Sequence, residues 1–164
     1  MNIRQAHPTD FSALAEVMFD AVRNGPSDYT ASQRRAWMSA LPDEAHWANR
    51  LRSQWVTLAE QAPAGDAKSI VGFMTLTVEG YIDLAFIRPQ AQGRGVFRAL
   101  YKSVESFATS EALHRLTVHA SLMARGPFEA MGFTIDQSET VIVNQEPLER
   151  FEMSKSLADT SHSS

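Results

Sequence analysis

The chain has no cysteine, which removes disulfides, thiolate metal sites and a cysteine nucleophile, and fits a reducing interior. Positive charge is also scarce: 15 Lys and Arg stand against 19 Asp and Glu, a formal net charge of −4. A general nucleic-acid binder neutralises phosphates with many basic side chains, so this balance speaks against one and allows only a local basic site. No run approaches the roughly 18 apolar residues of a membrane helix, and no secretory signal opens the chain. A cytoplasmic protein without membrane or nucleic-acid partners is expected. Several reaction classes lack their motifs as well. There is no Gly-x-x-x-x-Gly-Lys-Ser/Thr loop for a nucleoside triphosphate and no Gly-x-Ser-x-Gly elbow for a serine hydrolase. Gly93-Arg94-Gly95 begins like a dinucleotide fingerprint, but Arg98 stands where the third glycine is needed. The five histidines are scattered, with no pair at metal-ligand spacing beside a carboxylate, so no metal is expected.

What is present is a well-punctuated alternation of strands and helices. Asn2 to Ala6 reads as a first strand, and His7-Pro8-Thr9-Asp10 as a stop and cap before a helix with Phe11, Leu14, Ala15, Met18 and Val22 on one face. Thr30 and Gln33 form a capping box for a second helix, and Pro42-Asp43-Glu44 opens a short helical turn carrying His46, Trp47 and Leu51. Trp55 to Glu60 and Ile70 to Val78 read as a hairpin across Pro63-Ala64-Gly65-Asp66. Ile82 to Ile87 is a strand, Gly95 to Ser110 an amphipathic helix, Leu116 to Ala120 a strand, and Ala124 to Met131 a short helix closed by Gly132. Phe133 to Val143 and Leu148 to Met153 read as a closing antiparallel pair. The expectation is an α/β (α+β) fold with a mixed sheet flanked by helices, in which Tyr81 to Ala120 makes a right-handed parallel crossover. One domain over 1–157 and a disordered tail over 158–164 are expected.

The chemistry concentrates at Gln92-Gly93-Arg94-Gly95-Val96-Phe97-Arg98, between a strand and a helix. Two glycines one residue apart let the backbone take positive φ and aim its amides at one point. A helix start adds unpaired N–H groups and partial positive charge, so the turn suits an anion such as a phosphate. Arg88, Arg94 and Arg98 place further charge nearby. The alternative is an ordinary strand-to-helix turn whose glycines serve geometry alone.

With these residues in order, the chain resembles the GCN5-related N-acetyltransferases. Gln92, Gly95 and position 97 align with that family's signature of Gln or Arg, two residues, Gly, one residue, and Gly or Ala; Gly132-Phe133 resembles its last helix ending. The resemblance implies a mostly antiparallel central sheet with a splayed parallel strand pair, and acetyl-CoA as acyl donor. It further implies that amides of Gln92, Gly93, Arg94, Gly95, Val96, Phe97 and Arg98 hold the pyrophosphate. Backbone groups of Ala85, Phe86 and Ile87 would bind the pantetheine arm, with an amide near Ala85 polarising the acetyl carbonyl. Ser121 stands where an asparagine is common, and its hydroxyl is assigned to the pantetheine or a water. Two positions depart from the pattern: Phe97 replaces Gly or Ala, and Phe128 replaces the tyrosine that protonates the leaving thiolate.

The implied reaction is transfer of acetyl to a small-molecule or peptide amine by direct attack, which calls for a base. Asp83 is one candidate, because regular alternation would put it on one face with Ala85 and Ile87. His119 is the other, two residues before Ser121 and of a side-chain type that titrates near neutrality. Glu79 and Tyr81, beside a tight turn, read as solvated. Tyr29, Trp37 and Trp47 fall where the family shapes its acceptor pocket, and Glu16, Asp20 or Glu44 would attract a cationic amine. The alternative to catalysis is a non-catalytic acyl-CoA-binding sensor or interaction module of the same fold. A homodimer is compatible with either reading.

Overall fold

Two of the helix starts in this chain are fixed by side chains that satisfy otherwise orphaned backbone amides. In the computed structural model, which describes residues 1–62 and 67–157, the Thr30 hydroxyl accepts from the Gln33 amide at 3.1 Å while the Gln33 side chain accepts from the Thr30 amide at 2.8 Å. This is the expected capping box, and it starts α2 (Ala31–Trp37). The Asp43 carboxylate likewise accepts from the His46 amide and starts α3 (Glu44–Arg52), a longer helix than the expected turn. Helix α1 (Phe11–Asn24) buries Leu14, Val17, Met18 and Val22.

Strand β1 (Asn2–Gln5) precedes α1; β2 (Trp55–Gln61) and β3 (Ser69–Leu76) follow α3. Then come β4 (Tyr81–Ile87), α4 (Val96–Ser110), β5 (Arg115–Ser121), α5 (Arg125–Ala130), β6 (Thr134–Val143) and β7 (Glu146–Ser156). The seven described strands form one sheet in the order β1-β2-β3-β4-β5-β7-β6. Each pairing is antiparallel except β4 with β5, as the crossover pattern requires. The expected turn at Pro63–Asp66 and the expected tail at 158–164 lie outside the described residues.

Apolar layers cover both faces. On one, α1 and α3 pack Leu14, Met18, Trp47 and Leu51 against Leu58 and Phe73. On the other, α4 and α5 pack Leu100, Val104 and Phe128 against Met74, Leu116 and Met153. Burying side chains of this size contributes roughly 1.5–3 kcal/mol each before the entropy cost of folding. The Trp47 indole donates to the Phe11 carbonyl at 2.7 Å, so its polar atom is satisfied inside the first layer.

Two irregularities in β4 position the site. Against β3, Met74 pairs with Ala85 and Leu76 with Ile82, so two steps along β3 face three along β4. This is a β-bulge, and the buried Thr75 hydroxyl fills the gap by accepting from the Leu84 amide at 3.0 Å. Against β5, pairing is confined to Tyr81 with Thr117 and Ile82 with Val118. Beyond that point the strands part, and the backbone of β4 from Asp83 onward borders an open slit.

Candidate active site

The slit exposes main-chain groups to be used. The Leu84 and Arg88 amides turn toward β3, where Thr75 and the Val71 carbonyl accept them. Because successive amides of a strand point to opposite sides, those of Ala85 and Ile87 face the slit. At the end of β4, Gly93 and Gly95 adopt φ values of 73° and 81°, conformations that side-chain-bearing residues avoid. A Cβ at either would meet nothing within 4 Å, so the surface over the loop is open. The amides of residues 93–98 have no acceptor among the described residues; the first helical bond of this turn runs from the Ala99 amide to the Gly95 carbonyl. These amides and the start of a fifteen-residue helix form a cradle for an anion.

The basic side chains around the cradle are not equivalent. Arg88 is committed elsewhere, bonding Asp20 at 2.9 Å and the Ile70 carbonyl at 3.1 Å, so its charge supports the frame. Arg94 and Arg98 are exposed and make no ion pair among the described residues. Val96 contributes its amide to the loop and its side chain to the core. The Phe97 ring turns inward and meets Phe128 edge-to-face at 4.9 Å; Phe128 in turn meets Phe133 at 5.1 Å. An aromatic stack thus occupies the space beneath the loop, which explains how a large residue is accommodated at position 97.

Two cavities flank the slit. One, of about 410 Å³, is lined by the glycine loop, by Ala85, Phe86 and Ile87, and by the end of α1 at Ala21 and Val22. The other, of about 480 Å³, lies under α1, α2 and α3 and is lined by Met18, Tyr29, Trp37, Trp47, Asp83 and His119 among others. They share Trp37, Ala85, Phe86, Ser121 and Ala124 as a common wall. Ser121 Oγ accepts from the Ala124 amide at 3.2 Å, leaving its hydrogen available at that junction.

In the second cavity Asp83 is bound by Arg50 through two bonds of 2.8 Å and by Gln54 through a third of 2.8 Å. Burial alone would raise its carboxyl, but the bonds from Arg50 and Gln54 outweigh that and hold it below the usual carboxylate range. Such a group accepts a proton poorly. The bulge also corrects the expected alternation: Leu84 and Phe86 lie in the layer facing α1 and α3, whereas Ile82, Ala85 and Ile87 lie in or against the opposite one. Asp83, reaching α3, therefore sits opposite Ala85 and Ile87 rather than beside them. Glu16, Asp20 and Glu44 do not line the cavity.

Tyr81, read from the sequence as solvated, is half-buried and lines the same cavity. Its hydroxyl lies 2.9 Å from His119 Nδ1. Burial first, and then the negative charge of Asp83, push the Tyr81 phenol up, so it keeps its proton; with Nδ1 unprotonated it donates to that nitrogen, and with Nδ1 protonated it accepts. His119 Nε2 faces the Glu139 carboxylate at 3.8 Å, and Glu139 is bonded by Arg150 Nε at 2.6 Å. No motif marked Tyr81; only the register of Tyr81 with Thr117 brings it under His119. Tyr29, Trp37 and Trp47 all line the cavity as the resemblance implied, Tyr29 as a tie: its hydroxyl donates to the Glu149 carbonyl and accepts from the Leu122 amide.

The acetyltransferase (GNAT) domain family model matches residues 26–156, most of the chain. The chain belongs to the GNAT acetyltransferase family. Among its relatives is an uncharacterized N-acetyltransferase, YafP, of Escherichia coli (strain K12), 35% identical over 144 residues and 86% of each chain. A crystal structure of a GCN5-related N-acetyltransferase from Rhodopseudomonas palustris, whose name also carries "aminotransferase, class-II", superposes with a TM-score of 0.84 at 32% identity, covering 95% of both chains. A putative acetyltransferase, yncA, from Salmonella typhimurium, solved with acetyl-CoA, shares the fold at a TM-score of 0.70 and 16% identity, covering 96% of this chain and 94% of that one. Within the GNAT fold the split strand pair and glycine loop described above are the positions to which the sequence signature pointed. No helix among the described residues is long and apolar enough to cross a membrane.

Proposed function

We propose that this GNAT domain, a single unit over residues 1–157, moves an acetyl group from acetyl-CoA to a primary amine by direct attack within a ternary complex. The observation that carries this reading is the junction of two cavities at Ala85 and Ser121, where a slit in the sheet presents unpaired amides. Residues 93–98 would hold the pyrophosphate through their free amides, and Ala85 and Ile87 would pair with the pantetheine arm as an added strand does. The donor supplies an activated thioester carbonyl; the slit-facing amide at Ala85 polarises its oxygen, an effect commonly worth several kcal/mol. Ser121 keeps its hydroxyl at the same point.

The amine approaches from the cavity under α2 and α3. Asp83, held low by Arg50, is reassigned to anchoring α3 against β4. The proton passes instead to the Tyr81–His119 pair: Tyr81 releases its hydroxyl proton to Nδ1 as it takes up the proton of the attacking amine. Glu139 then stabilises the imidazolium through Nε2. Phe128 offers no proton to the leaving thiolate, a group that departs without one more readily than an alkoxide does.

A coupled thiol-release assay over amines tests the reading. Intersecting double-reciprocal lines for donor and amine are expected, since each occupies its own cavity. Parallel lines would refute direct attack. Binding of acetyl-CoA with no thiol release from any amine would favour the acyl-CoA-binding module.

A further inference from the structure

The acceptor cavity has an unusual balance of charge. Among the described residues Asp83 is the sole carboxylate lining it, and Arg50 and Gln54 take up its oxygens. The cationic side chains on the same wall are Arg50 and Arg150. A second ammonium on a polyamine, or the multiple cations of an aminoglycoside, would find no unpaired carboxylate and two guanidinium groups. Most of the remaining wall is apolar, with Met18, Trp37, Met38, Trp47, Val141 and Leu148 prominent.

Arg150 is engaged along one edge alone. Its Nε bonds Glu139, and neither terminal nitrogen has a partner among the described residues. A guanidinium whose Nε is taken still offers its two terminal nitrogens, a fork that matches a carboxylate. Its side chain is about one-third exposed, at 35%. Arg150 pairs in register with Ser121, which stands on the wall shared by both cavities. An anion held there shares the acceptor cavity with Ser121 and Ala85, where the transfer is proposed to occur.

Resting on the transferase reading above, we propose that the acceptor is an amino acid with an apolar side chain, its carboxylate bound by the terminal nitrogens of Arg150 and its side chain seated against Trp37 and Trp47. Glu139 restrains this site by partly neutralising Arg150.

The experiment compares thiol release with phenylalanine, leucine and methionine against the amide of each, with spermidine as the polycationic control. The free acids are expected to exceed their amides by about tenfold or more in kcat/KM, the size of one well-made charged contact. In Arg150→Met this preference collapses through KM, and Arg150→Lys restores part of it. Glu139→Gln, which keeps Arg150 and removes its partner, is expected to lower KM for the acids, whereas a merely structural role for the pair predicts the reverse. Amides used as well as acids, spermidine preferred over both, or a preference surviving in Arg150→Met would each overturn the assignment while leaving the transferase reading intact. If no amine releases thiol, the transferase reading itself fails. Calorimetry of phenylalanine on the CoA-loaded protein then decides the anion site: binding lost in Arg150→Met sustains it, and no binding refutes it.

Discussion

Arg50 on α3 holds Asp83 of β4 in a two-pronged pair, both bonds 2.8 Å long, on the wall of the acceptor cavity. The pair fastens a helix to the strand that borders the slit. Replacing Asp83 with Asn should therefore affect the fold more than the chemistry. Because Arg50 is 42% exposed, the loss in stability should be about 1 kcal/mol, well below that of a fully buried pair. A kcat within about fivefold of the parent is expected, against the 10²-fold or greater loss that removing a true base brings. Denaturant melts and steady-state rates on the same preparation check both halves.

Acid stability should follow the same carboxylates. Asp83, Asp10 and Glu60 are all held below their ordinary values in the folded protein, the last two chiefly by bonds from Arg4 and Asn2 respectively. Each contributes stability that is complete above the unfolded carboxylate value near 4 and lost as pH falls through its folded value. Stability should therefore stay level from neutral pH to about 5 and decline below about 4. Glu105, bonded by Lys155 and Tyr101, is held low in the same way, and circular dichroism melts across that range should show the decline flattened in Asp10→Asn, which removes one of these four contributions.

The Tyr81–His119 pair makes a graded kinetic prediction. His119→Ala should lower kcat by about 10²-fold at neutral pH, and Tyr81→Phe by a smaller factor of about tenfold, since water can replace a hydroxyl more readily than a ring nitrogen. The double variant should be little worse than His119→Ala, because both act on one proton. Fully additive losses would separate the two residues and remove the relay.

Gly95 tests the anion cradle. A valine there must adopt φ near 81°, a conformation that costs a side-chain-bearing residue roughly 1–2 kcal/mol and that the loop will relax away from. Calorimetry should show acetyl-CoA affinity falling by about tenfold or more. Unchanged affinity would show that the amides of this turn do not hold the donor.

Phe97 should matter for stability and not for the donor. Its replacement by Gly, one of the two residues that the family's signature carries there, removes an edge-to-face contact with Phe128 and adds backbone freedom at a helix start. A loss of about 2–3 kcal/mol is expected, read as a fall in Tm of roughly 5–10 °C. Acetyl-CoA affinity should change by less than about threefold, because backbone amides do the holding.

Much of the frame was legible because local chemistry and tertiary packing agree: Thr30 and Gln33 announce their helix, and Gly93 and Gly95 their turn, wherever the chain goes next. The resemblance to GNAT proteins rested on such local signatures. What alternation could not supply was the bulge in β4, since one extra residue inverts every later side chain and leaves no mark in composition. That inversion moved Asp83 away from Ala85 and toward Arg50. Tyr81 escaped notice for a related reason: its partner is 38 residues distant and is reached only through strand register.

The tie at Tyr29 is one of three. Gln33 donates to the Pro147 carbonyl at 2.6 Å and Asn144 to the Ala36 carbonyl at 2.7 Å, so the α2 segment is laced to the β6–β7 hairpin beyond the gap. A sheet parted between two strands would by itself behave as an open jaw. Laced this way it behaves as a hoop, whose bore is gauged by a seven-residue helix instead of by the strands that were parted.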